Sequence, residues 1–90
     1  MVIADELGDL SPASAARFLR GVDATTRRLE DFPRSGRIVP EYKDESLREA
    51  IVGNYRVVYL VEDDDVRLTA IVDARRNLRR VLGPLPGDIR

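Results

Sequence analysis

The chain has no cysteine, no histidine and no tryptophan. Lack of cysteine excludes disulfides and thiolate zinc sites, and suits a reducing compartment such as the cytoplasm. Lack of histidine removes the commonest general base and metal ligand, and neither a metal nor a cofactor is expected. No apolar run is long enough to span a bilayer and no signal-peptide pattern opens the sequence, so no membrane role is expected. Excess charge is missing too. The 15 Lys and Arg stand against 16 Asp and Glu, a formal net charge of −1, which gives no global field to draw nucleic acid. Among the 15 cations, Lys43 is the single lysine. Arginine is the residue of bidentate recognition, although high-GC codon usage also produces such an excess. With 90 residues the chain makes one domain, 1–90, which buries about 60–65% of its unfolded surface.

What is present is organised around residues 47–76, LREAIVGNYRVVYLVEDDDVRLTAIVDARR. The stretch reads as three antiparallel strands, 47–52, 55–61 and 66–73. Gly53-Asn54 between two apolar, β-branched runs is a two-residue hairpin signal, with Gly at the positive φ of a II′ turn. The acidic run 62–65 makes the second reversal and reads as a four-residue loop. Register counted from the first turn places Ala50, Val52, Tyr55, Val57 and Tyr59 on one face, joined by Leu68, Ala70 and Val72. That face is the expected core side, with Arg48 at its rim. The other face carries Glu49, Ile51, Arg56, Val58, Leu60, Arg67, Thr69, Ile71 and Asp73, and is expected to be uncovered. Arg56 lies centrally on it, within reach of Glu49 or Asp73. Such a face is either a solvated surface or a binding surface, and the pattern supports both.

Upstream, Ile3, Leu7 and Leu10 fall at helical spacing, and Ser11-Pro12 then reads as N-cap and first residue of a second helix. Ala15, Phe18, Leu19, Val22 and Leu29 form its apolar stripe, and Phe32-Pro33 stops it. The predicted fold is α+β, an N-terminal helical hairpin (1–31) packed on a three-stranded antiparallel sheet (47–73). Leu19, Val22, Leu29, Val57, Tyr59, Leu68 and Ala70 are the expected core. Residues 34–37 read as a turn, Ile38-Val39 as a brief extended piece and 40–46 as a polar loop. Residues 77–90 read as a basic, then flexible tail.

Taken together, FPRSGRIVPE at 32–41, LRE at 47–49, GNYRVVY at 53–59 and Arg75-Arg76 resemble the RelE/ParE superfamily of bacterial type II toxins. The likeness runs from about Ile3 to Arg76 and is closer to the ParE branch than to RelE proper. It implies a toxin neutralised by a cognate antitoxin that wraps the helices and sheet, with Phe18, Leu19, Val22, Leu29, Ile51, Val58 and Leu60 as expected contacts. ParE-type toxins act on DNA gyrase, whereas RelE-type toxins cut mRNA in the ribosomal A site. The family's first β-strand is expected to be missing, because the chain reads as starting inside the first helix. Either the start is truncated or a sheet edge is left open, a liability that a partner strand would cover.

Cleavage by attack of a ribose 2′-OH needs a base, cations for the phosphorane and an acid for the leaving oxygen. On the pattern of RelE-like nucleases Arg56 and Arg76 are retained. The lysine positions hold Leu47 and Glu49, the usual histidine position holds Asp73, and the tyrosine position falls near Leu82. The expected activity is therefore inhibitory binding to gyrase with no catalytic residue, and with Arg75, Arg76, Arg79 and Arg80 as target contacts. The alternative is a ribosome-dependent mRNA endonuclease in which Arg56 and Arg76 act catalytically. A second alternative, motivated by the missing strand, is a non-toxic module that retains only its antitoxin contacts.

Overall fold

Ser11 opens the long helix as its position predicts. Its Oγ accepts from the Ser14 N–H at 3.2 Å, and Pro12 follows where its missing N–H leaves nothing unpaired. The helix, α1, runs Pro12–Asp31 and closes with the Phe32 N–H donating to the Arg28 carbonyl at 2.8 Å, just before Pro33. The computed structural model describes residues 2–3 and 11–83. Its other elements are β1 (Val2–Ile3), β2 (Arg37–Ile38), β3 (Leu47–Val52), β4 (Tyr55–Glu62), β5 (Asp65–Asp73) and α2 (Leu78–Leu82). They build an α+β domain whose sheet has the order β1-β5-β4-β3-β2, with β1 parallel to β5 and the other neighbours antiparallel.

Several expectations are corrected. The first strand is present: Val2 pairs with Ala70 and Ile3 with Ile71. Ile3 therefore belongs to the sheet rather than to a helix, and the edge beside β5 is covered. The motive for a vestigial module falls with it. Leu7 and Leu10, the rest of the predicted first helix, lie outside the described residues. On the far edge β2 pairs Arg37 with Glu49 and Ile38 with Arg48, so among the described residues the sheet has five strands rather than the expected three.

The β3–β4 register is as counted, Val52 opposite Tyr55 through Arg48 opposite Tyr59, with Gly53 at φ 60°. The second reversal is tighter than expected. Glu62 pairs with Asp65, which leaves a two-residue turn in which Asp63 takes φ 56°. Tyr59 still faces Leu68, but Thr69 is then an extra residue, and beyond it Val58 pairs with Ala70 and Val57 with Ile71. This β-bulge exchanges the faces of everything downstream. Ala70 and Val72 join Arg56 and Val58, while Ile71 and Asp73 move to the helix side.

Both faces are covered. Between α1 and the sheet, Leu29 of the helix meets Tyr59 and Val61, flanked by the half-buried Val66 and Leu68, with the Phe18 and Tyr55 rings edge to face at 5.0 Å. Leu19, expected in this core, is 64% exposed, and Thr25 is buried in the stripe instead. Val22 is half-buried. The face expected to be open holds a second core of Val39, Tyr42, Leu47, Val58, Ala70, Val72 and Leu78. Residues 39–42, read as extended piece and polar loop, and α2, read as tail, supply its lid. Gly36 closes the edge: its N–H donates to the Tyr59 hydroxyl at 2.9 Å, and a Cβ there would collide with that hydroxyl and with the Glu49 carbonyl.

Candidate functional site

The centre of the second face is an ion cluster around Arg56. β4 carries Arg56 to the middle of the sheet, where it is 4% exposed, and a guanidinium can be held there only if its five N–H groups are met. They are. Nε donates to Glu49 Oε2 at 2.5 Å and Nη2 to Glu49 Oε1 at 3.2 Å, while Nη1 and Nη2 each reach Glu41 at 2.6 Å and Nη1 also reaches the Arg76 carbonyl at 2.9 Å. Glu49 is the cross-strand partner expected for Arg56. Asp73, the other candidate, lies on the opposite face after the bulge and pairs with Arg75 at 2.9 Å.

Glu41 carries the cluster outward. Its side chain is 14% exposed, and Oε2 also accepts from the Leu78 N–H at 2.8 Å. Glu49 Oε1 in turn accepts from Arg37 Nε at 2.9 Å. The Arg56 guanidinium holds the Glu41 carboxyl down at about 2, helped by the Leu78 N–H, and the two glutamates push the guanidinium further up. Arg75 likewise holds Asp73 at about 2. Both carboxylates therefore stay ionised well into acid.

Sequence reasoning missed Glu41. It sits in irregular chain 15 residues from its partner, and the one hint was its place at the end of FPRSGRIVPE.

The arginines expected to meet a target are partly brought together. Arg75, Arg76 and Arg80, with Asn77, line a depression of about 380 Å³ at the end of the sheet. Arg79 turns aside, with its guanidinium 4.5 Å from the centre of the Tyr42 ring and its Nε donating to the Glu41 carbonyl at 2.9 Å.

The expected antitoxin contacts divide as well. Leu29 and Val58 are fully buried in the two cores, so they are corrected to packing residues that no partner reaches in this fold. Phe18, Val22 and Leu60 are half-buried, while Leu19 at 64% and Ile51 at 52% face outward. Among the described residues no cluster of acidic groups is placed to hold a metal ion, and no helix is long and apolar enough to cross a membrane.

A helix laid across a mostly antiparallel sheet that ends in a basic segment is an α+β arrangement consistent with the RelE/ParE superfamily. Residues 3–78 match the family described as the ParE toxin of the type II toxin-antitoxin system, parDE, and the chain belongs to that family. No curated protein and no solved structure matches it significantly. Membership implies a cognate antitoxin as partner.

Proposed function

We propose that this ParE-family toxin acts by inhibitory binding to DNA gyrase, and that it does so with the basic end formed by Arg75, Arg76 and Arg80. The observation that carries this reading is the commitment of Arg56. A nuclease of this fold would turn that arginine on a scissile phosphate. Here its N–H groups are taken by Glu41, Glu49 and the Arg76 carbonyl, and the two carboxylates beside it repel a phosphate. Arg75, Arg76 and Arg80 instead keep exposed side chains around one depression, Arg75 even while paired with Asp73, and planar guanidinium groups there suit carboxylate or phosphate recognition. The antitoxin is proposed to meet the outward-facing Leu19 of α1 and Ile51 of β3, with the half-buried Phe18 and Val22 of α1 and Leu60 of β4 as partial contacts.

The test is purified toxin in a gyrase supercoiling assay and, separately, on programmed ribosomes. Inhibition of supercoiling with intact message is the expected result, and Arg75→Glu with Arg76→Glu should abolish it. Cleaved message with undisturbed supercoiling would overturn the reading and give Arg56 and Arg76 catalytic roles.

A further inference from the structure

A five-residue helix such as α2 is far shorter than the roughly 12–15 residues a helix needs to hold its shape in water. The orientation of the basic end is therefore set by what grips it, and the grips converge on two neighbouring residues of the 39–44 loop. At its start, the Leu78 N–H donates to Glu41 Oε2 at 2.8 Å, and the Arg76 carbonyl accepts from Arg56, which Glu41 holds by a two-pronged pair. On its flank, Arg79 donates to the Glu41 carbonyl at 2.9 Å and lies over the Tyr42 ring. At its end, the Tyr42 hydroxyl donates to the Gly83 carbonyl. Leu78 is fully buried beneath.

We infer that Glu41, with Tyr42, is a positioning residue that sets the geometry of the target-contacting arginines. The inference rests on the reading that residues 75–80 meet the target. Arg75, Arg76 and Arg80 line one depression although they leave the chain on either side of Leu78. A shift of α2 by part of a turn would carry Arg80 away from Arg75 and Arg76, which precede the helix. Glu41 does not itself touch the target; it works through the placement of Arg76 and α2.

Two variants separate positioning from general stability. Glu41→Gln keeps an oxygen for the Leu78 N–H but loses the two-pronged ion pair, and Tyr42→Phe loses the bond to Gly83 while keeping the ring under Arg79. Amide exchange at Leu78 in the first and at Gly83 in the second should quicken about tenfold more than at Val57 and Ile71, which open only with the whole sheet and report general stability. The toxin concentration for half-inhibition of gyrase should rise about tenfold. It should rise by less when either change is added to the milder Arg80→Ala than in the native chain, because residues acting through one another are not additive. Arg75→Glu/Arg80→Glu is the separate reversal that tests the surface itself.

Unchanged exchange at Leu78 and Gly83 overturns the inference whatever the gyrase assay gives. So does quickened exchange with full inhibition, when the arginine reversal removes inhibition. If the reversal itself leaves inhibition intact, residues 75–80 are not the target surface, and that failure is identified by the arginine arm alone.

Discussion

The two faces of the sheet are held by different physics. Under α1 the contact is made by Leu29, Tyr59, Val61 and the Phe18–Tyr55 ring pair, where burial is non-directional and side chains of similar volume substitute for one another. On the other face an apolar patch surrounds Arg56, Glu41 and Glu49, where each hydrogen bond fixes a distance and an angle. Hydrophobic packing is enough to seat a helix of 20 residues, which carries a stripe of its own. A lid made of a loop and a five-residue helix has too little surface for that, so a directional brace sets its position.

The largest expected effect breaks the braced face. Arg56→Ala leaves Glu41 without its cation and the buried Glu49 with only the exposed Arg37, and should cost about 3–5 kcal/mol in urea unfolding. Replacing Arg56, Glu41 and Glu49 together with apolar residues of similar volume should restore most of that loss, because no unpaired charge remains. A triple variant as unstable as Arg56→Ala would show that the cost lies in lost packing. On the helix face Leu29→Ala should cost about 2–4 kcal/mol through the cavity it leaves, and this cost should be the same at pH 3 and pH 7.

This contrast also explains what the sequence disclosed. Caps at Ser11 and Phe32, the Gly53-Asn54 turn and the β3–β4 register were readable because each is set by residues a few positions apart. The face assignment failed at Thr69. With both faces buried, the run from Val57 to Val61 is apolar without alternation, so periodicity could not reveal a bulge. β1 and β2 are two residues each, shorter than any periodic signal, and exist because neighbours pair with them. The brace was half-visible: Glu49 lies near Arg56 by strand register, whereas Glu41 reaches it from a loop and joins it to Leu78, 37 residues on, a contact no local pattern encodes. Leu19 sat at helical spacing yet points away from the sheet, since a stripe fixes a helix face only to within its width.

Acid should separate the faces by titration. Glu41 is held at about 2 in the fold against 4.5 for the ordinary carboxyl. A depressed folded value stabilises above the unfolded one, so the contribution is full above about pH 4.5 and is lost as pH falls toward 2. At about 1.4 kcal/mol per pH unit the ceiling is about 3 kcal/mol, and slight exposure of the Glu41 side chain brings it to about 2 kcal/mol. Glu41→Gln should flatten this part of the pH–stability curve. Asp73, also held at about 2, should leave a residual slope in the same window. An undiminished slope in Glu41→Gln would place the acid sensitivity elsewhere.

The smallest expected effect on stability falls outside both cores, at Leu19. Its side chain is 64% exposed on the outer side of α1, and Leu and Glu have nearly equal helix propensity, so Leu19→Glu should change the unfolding free energy by no more than about 0.5 kcal/mol. If the antitoxin lies on this side of α1, the same change places a charge where a leucine would be buried. Burying a leucine is worth about 1.5–3 kcal/mol, so affinity should fall about 10- to 100-fold. Thermal unfolding of the toxin alone and titration of the toxin with its antitoxin give the two numbers independently. A lower midpoint with unchanged affinity would assign Leu19 to the fold and remove the outward side of α1 from the antitoxin surface; the expected reverse would separate the residues that build this toxin from those that silence it.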